Sequence, residues 1–294
     1  TSGKIGFHGK PSVRTWTELA VTAEVGAVVI ELKKPVDWKV GDRIVLAGSD
    51  RPEIACNGDR QDACQTEEVG ISRIAANGRR LWLDNKLRYR HVSESFPAPD
   101  DFTEDGSEAP PLELRSEVGL LTRNIVVRGT SPKLGGERGS EAFGGHVMLL
   151  RPSSAVFEYV EFNYVGQQFQ MGRYPVHFHH VGEAPTSLVR GCAIHHTFNR
   201  ALTNHATKKL RVEENVAYNV LGHAYFFEDG VERDNVYKRN LGVLIRQATS
   251  LLNTDQTPAV FWITHPSNSF EGNHAAGSHT FGFWFDLPEK PMGL

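Results

Sequence analysis

The chain has 294 residues, 39% hydrophobic and 23% charged, with a formal net charge of −3 and an isoelectric point near 6.5. That is enough apolar material to bury a core, and the lack of a basic balance argues against a nucleic-acid partner. No apolar run is long enough to span a bilayer and the start, Thr1-Ser2-Gly3-Lys4, carries no signal-peptide core, so the reading is a soluble chain.

Residues 1 to about 90 read as all-β. Val28 to Leu32, Arg43 to Leu46, Val69 to Ile74 and Arg80 to Leu83 are short apolar or β-branched runs parted by Gly, Pro and Asp turns. Cys56 and Cys64 flank a polar loop and either close it as a disulfide or remain thiols, while Cys192 reads as buried in a strand. Residues 91–111 hold Pro97, Pro99, Pro110, Pro111 and five acidic residues from Asp100 to Glu108, which is loop composition. Strands resume at Arg123 to Arg128 and at His146 to Leu150. The expected division is a β-rich segment, 1–111, followed by a solenoid, 112–294.

From Tyr174 to Leu287 one pattern repeats. The strands Val176 to His180, Ala201 to His205, Tyr225 to Asp229, Phe261 to His265 and Phe283 to Asp286 alternate apolar and polar positions. A second set, beginning at Cys192, Val216 and Tyr237, recurs at spacings of 24 and 21 residues by sequence number, and each member leads by a loop into the next apolar strand. A period of this size, with connections too short for crossover helices, predicts a parallel β-helix with Asn219 and Asn240 as an internal polar ladder. A β-sandwich explains the alternation but not the period.

Side chains alternate faces along a strand. One parity, with Phe178, Leu202, Asn204, Tyr225, Phe227, Phe261, Ile263, Phe283 and Phe285, is mostly core-like. The other places His177, His179, Thr203, His205, Phe226, Glu228, Trp262, Thr264, Trp284 and Asp286 on an outward stripe. Residues two apart on a strand lie about 6.5–7 Å apart and neighbouring rungs about 4.8 Å apart, so His177, His179 and His205 form a triangle that converges on one ion. Imidazole donors suit Zn²⁺ or another borderline transition metal better than Ca²⁺. Glu228 and Asp286 occupy one column about two rungs apart, near the upper separation for an inverting carboxylate pair. Glu228 and its neighbour Asp229 are expected to face opposite sides. Phe226, Trp262 and Trp284 recur at one outward position and suit stacking on sugar rings, and Arg173 and Arg200 are candidates to pair with substrate carboxylates. His195 reads as a ladder residue, and His196 or His223 as a group that orients a ligand imidazole.

Several phrases in order resemble the CEMIP and cell-surface hyaluronidase family, of which fibrocystin-like receptors carry a related version. They are Leu114-Arg115-Ser116-Glu117-Val118-Gly119-Leu120-Leu121-Thr122-Arg123-Asn124-Ile125, Phe143-Gly144-Gly145-His146, Gly166-Gln167-Gln168, Tyr174-Pro175-Val176-His177-Phe178-His179, Ile194-His195-His196-Thr197-Phe198, and Leu221-Gly222-His223 running to Glu228-Asp229-Gly230. The likeness continues through Phe261-Trp262-Ile263-Thr264-His265-Pro266-Ser267-Asn268 and Gly282-Phe283-Trp284-Phe285, and Gly3 to Asp50 resembles the end of an eight-glycine domain. One departure is His180, where the animal relatives tend to carry an apolar residue. The resemblance implies a right-handed parallel β-helix, an extracellular location and a hyaluronan-like acidic polysaccharide as partner, and it admits Ca²⁺ as an alternative ion. The resemblance implies a glycoside hydrolase, and the parity of the outward stripe supplies its candidate catalytic groups, Glu228, His179, His205 and Asp286. A polysaccharide lyase and a non-catalytic glycan-binding module are the alternatives.

Overall fold

The computed structural model describes residues 3–49, 65–98, 110–129, 142–249 and 252–292. Cys56, Cys64 and the acidic run from Asp100 to Glu108 lie outside these residues. No α-helix occurs among the described residues. Three six-stranded parallel sheets wind into a β-helix.

The first sheet stacks Lys4–His8, Ser154–Glu158, Leu188–Arg190, Arg211–Glu213, Val236–Lys238 and Ser269–Glu271. The second stacks Ile125–Arg128, Val160–Asn163, Ala193–His195, Val216–Leu221, Leu241–Arg246 and His274–Ser278. The third stacks Val147–Leu150, Val176–Glu183, Leu202–Lys208, Tyr225–Phe227, Ala259–Ile263 and Phe281–Phe285. The alternating parity holds on four of the five strands: Phe178, Leu202, Tyr225, Phe227, Phe261 and Ile263 fill the core between the sheets with Phe157, Phe162 and Tyr237. It fails on the last, where Phe283 and Phe285 are 44% and 59% exposed because no further rung of the described residues covers them.

The corner between the first and second sheets explains much of the repeat. Tyr159, Gly191, Glu214, Arg239 and Gly272 each turn it with a left-handed φ between 53° and 64°, a conformation that costs a non-glycine residue free energy unless its surroundings repay it. The repayment is an amide ladder one residue on. Asn215 Nδ2 donates to Asn240 Oδ1 at 2.9 Å, and Asn240 Nδ2 to Asn273 Oδ1 at 2.9 Å, at sequence steps of 25 and 33 residues. The Oδ1 atoms also accept backbone N–H groups from the rung before, Cys192 to Asn215 at 2.9 Å and Asn215 to Asn240 at 3.1 Å. A second ladder links Asn235 to Asn268 at another corner.

Asn240 is thus a ladder residue, but Asn219 is not. It sits with His196 and Leu244 in a column of left-handed residues within the second sheet. His195 pairs with Tyr218 rather than with an asparagine, and Tyr237 belongs to the first sheet, opposite Val212. The near-equal spacings aligned different sheets with each other; the true steps lengthen because the last turn accommodates residues 247–258.

Strand Lys4–His8 is the opening strand of the first sheet, paired in parallel with Ser154–Glu158, so that Ile5 and Phe7 pack on the core. The chain then leaves the solenoid. Trp16–Glu18, Val29–Glu31, Arg43–Leu46, Glu67–Ile74, Arg80–Leu83 and Glu117–Leu120 form an antiparallel sheet with its own core, and Ser93–Phe96 pairs with Leu112–Arg115 beside it. The chain rejoins the helix at Ile125–Arg128. A boundary at 111/112 therefore does not coincide with the units: residues 4–8 are solenoid and 112–120 are not. The antiparallel unit docks against the outer face of the second sheet, where Trp16, Val45 and Leu121 meet Val216, Tyr218, Leu241 and Val243.

Candidate functional site

The third sheet carries the candidate site on its outer face. Its register places His177, Thr203, Phe226, Trp262 and Trp284 in one column, and His179 beside His205 in the next. The backbone N–H of Glu228 donates to Asn204 O at 3.2 Å, which continues the His179–His205 column to Glu228.

The imidazoles meet as the triangle predicts. His177, His179 and His205 each offer a nitrogen within 4.8 Å of the others. The carbonyl of Gly172 accepts from His177 Nδ1 at 2.9 Å, which leaves Nε2 without a proton. That Nε2 is buried without a hydrogen-bond partner, and the residue is 1% exposed. Burial holds the His177 pKa down at about 3, against the smaller opposing pull of the Gly172 carbonyl. Burial, and then the neighbouring His205 and His180, also lower His179.

His205 is clamped between carboxylates. Asp229 Oδ2 accepts from its Nε2 at 2.7 Å, and Glu228 Oε2 lies 3.3 Å from its Nδ1. With the proton on Nε2, Nδ1 is an acceptor, so His179 Nδ1 donates to it at 3.0 Å. Glu228 and Asp229 do not face opposite sides, as strand alternation predicts. The strand ends at Phe227, and the turn after it carries Asp229 round to the far nitrogen of the same ring. Burial raises the pKa of both carboxyls, and the neighbouring His205 opposes the rise in each.

Glu232, which has no sequence signal beyond its charge, fixes that turn. Its Oε1 accepts the N–H groups of Ala206 and Asp229 at 2.7 and 3.0 Å, and its Oε2 accepts Gly230 N–H and the Thr264 hydroxyl at 2.8 and 3.1 Å. His180 joins the cluster from the strand itself. A left-handed φ of 51° at a register shift turns its ring to 4.1 Å from that of His205. His180, His205 and Asp229 form a second group with converging ligand atoms.

The aromatic column is covered. Phe226 is 4% and Trp262 6% exposed, because the corner segments before each strand of this sheet fold over them. The ring of His223 stacks 4.9 Å from Phe226 and packs 4.6 Å from Trp262. The Arg200 guanidinium lies 3.8 Å above the Phe226 ring. Neither aromatic is placed to stack on a sugar. Arg200 is itself buried, with its Nε and Nη2 donating to Asp255 at 2.8 and 2.9 Å, so it is not a surface cation for substrate either. Trp284 keeps 38% of its surface exposed.

Arg173 is exposed, next in sequence to Gly172, and donates to His146 Nε2 at 2.8 Å. Asp286 is exposed, and its backbone N–H donates to Ile263 O, which continues the Glu228 column without bringing it to the imidazoles. His223 and His196 do not orient the cluster. His223 Nδ1 accepts Ala259 N–H at 3.0 Å, and His196 faces Glu68 of the antiparallel unit. Gly172 and Asp229 perform that role instead.

A parallel β-helix with a histidine and carboxylate cluster on one outer face is the class of protein that fold and site define. The chain belongs to the CEMIP beta-helix family, whose profile matches residues 142–294. It is 38% identical to human Fibrocystin-L over 99% of its own length and 7% of that protein's. It is 32% identical to human Cell surface hyaluronidase CEMIP2 (87% of this chain, 20% of that one) and 31% identical to mouse Cell migration-inducing and hyaluronan-binding protein (97% and 22%). The chain thus spans a small part of these relatives. Among solved structures, the tailspike gp49 of Pseudomonas phage LKA1 aligns over 91% of this chain and 56% of its own at 11% identity, with a TM-score of 0.26, too low to add to the architecture read from the strands.

Proposed function

We propose that this β-helix binds and depolymerises an acidic polysaccharide of the hyaluronan class at the outer edge of its third sheet. The observation that carries the reading is the clamped imidazole: His205 holds Asp229 at 2.7 Å on one nitrogen and faces Glu228 at 3.3 Å with the other. Two half-buried carboxyls coupled through one ring supply the proton donor and the proton acceptor that glycosidic cleavage needs. Relatives named for hyaluronan, 31–32% identical over most of this chain, support the substrate class. In this reading Arg173 faces the uronate carboxylates, Trp284 offers a partly open ring to a sugar, and Asp286 lies further along the same face.

The test is the size profile of hyaluronan after incubation with the protein and with Glu228→Gln, which keeps the volume and removes the charge. Turnover falls about 100-fold or more in the variant while the circular dichroism spectrum is unchanged. Near-full activity in the variant sinks the assignment. Products that absorb in the ultraviolet reassign the chemistry to a lyase, and binding with no change of chain length reassigns the site to recognition alone.

A further inference from the structure

The geometry points to a transition-metal centre of the zinc type held by His177 Nε2, His179 Nδ1 and His205 Nδ1, with the fourth position facing Glu228. Three features carry it. The first is His177: a buried imidazole whose Nδ1 proton is tied to the Gly172 carbonyl at 2.9 Å, leaving a bare, unpartnered Nε2 in the interior. A buried nitrogen lone pair without a donor is costly, and an ion supplies the missing partner.

The second is His205. Asp229 holds its Nε2 proton at 2.7 Å and so turns Nδ1 towards His179 and Glu228. Backbone-carbonyl and carboxylate partners of this kind on the far nitrogen are what fixes the tautomer of metal-bound histidines. Two of the three imidazoles already have one.

The third is spacing. One nitrogen from each ring lies within 4.8 Å of one from each of the others, and His179 Nδ1 and His205 Nδ1 are 3.0 Å apart, against about 3.3 Å for two nitrogens on a tetrahedral ion at 2.0–2.1 Å. His177 is the fixed corner. His179 and His205 are half-buried at the rim, and modest ring rotations close the remaining gap. His179 then carries its proton on Nε2 instead of Nδ1. Glu228 Oε2, buried and without a hydrogen bond, stands 3.3 Å from His205 Nδ1, at the fourth position. An all-imidazole triad with one oxygen neighbour favours Zn²⁺ and Co²⁺ over Ca²⁺.

The inference does not rest on the glycan reading, and its test uses no substrate. Protein made without a histidine tag and stripped with chelator is titrated with Zn²⁺ by calorimetry and with Co²⁺ by visible absorption. One equivalent of each binds, and Co²⁺ gives the intense bands of a tetrahedral site. His177→Gln and His205→Gln each weaken Zn²⁺ binding about 100-fold or more, whereas His8→Ala, remote and exposed, leaves it unchanged. Thermal melts of the stripped variants show whether each remains folded, and His205→Gln, at the rim, serves if His177→Gln does not. Failure of the wild-type protein to bind one equivalent, or undiminished binding in folded His205→Gln, overturns the proposal whatever the outcome on hyaluronan.

Discussion

Glu232 Oε1 accepts the backbone N–H of Asp229 at 3.0 Å, from a carboxylate that also holds Ala206, Gly230 and Thr264. One buried side chain therefore joins the turn that carries Asp229 to the strand that carries His205. The cluster is built by a residue that never touches an imidazole.

That relationship predicts the effect of Glu232→Gln. The amide keeps the size, but its NH₂ must face either two backbone N–H groups or the Gly230 N–H and the Thr264 hydroxyl, which can turn to accept, so at least one hydrogen bond becomes a donor–donor clash and the rest lose their charge assistance. Stability should fall by roughly 3 kcal/mol or more, measured as a shift in urea midpoint at unchanged slope. In the part that stays folded, Asp229 loses its register with His205, and hyaluronan cleavage falls even though no proposed reacting group has changed. Full stability in the variant would show that the turn is held elsewhere.

The two tryptophans of one column should separate stability from binding. Trp262 is packed against His223 and Phe226, so Trp262→Ala leaves a cavity and costs about 3–5 kcal/mol. Trp284 is partly open, and its replacement by Ala should cost less stability but weaken polysaccharide binding by about 1–3 kcal/mol. Paired denaturation and affinity measurements on both variants check this. Equal stability losses would mean that Trp284 is also sealed in.

Acid should unfold the solenoid early. Burial depresses the pKa of His196 to about 3, His279 to about 4 and His223 well below its ordinary value. An unfolded histidine takes up a proton near pH 6.5, whereas these three stay neutral in the fold. Their contribution is therefore fully present above pH 6.5 and is lost as pH falls towards 4 and 3. Each group contributes a slope of roughly 1.4 kcal/mol per pH unit in that window. Urea midpoints at pH 7.5, 6.0 and 5.0 should drop in that order, and His196→Gln should flatten the trend. Equal midpoints at all three pH values would contradict the assignment of neutral buried rings.

Parity made the solenoid and the imidazole triangle readable, because both depend only on a two-residue alternation and a rung spacing. What sequence could not supply was cover and turns. Phe226 and Trp262 do point outward from the core, yet His223 and Arg200, from segments with no periodic signal, lie over them. Alternation puts Glu228 and Asp229 on opposite faces only if the strand continues, whereas it ends at Phe227 and Asp229 lies two residues past that end. Asn219 was placed on the ladder because a spacing of about two dozen residues fits more than one sheet. The family phrases marked this region but did not distinguish ladder asparagines from those with a left-handed backbone.

The pairing of strand Lys4–His8 with Ser154–Glu158 bears on how the chain is made as well as on how it stands. His8 and Glu158 touch across 150 residues of sequence, and the whole antiparallel unit lies between them. Contacts this distant are slow to form. At synthesis rates of about 5–20 residues per second, the strand waits roughly eight to thirty seconds for its partner to be made. For that interval Ile5 and Phe7 lack their core and the strand edge is open, so this short segment offers chaperones, or a second copy of the chain, a place to bind.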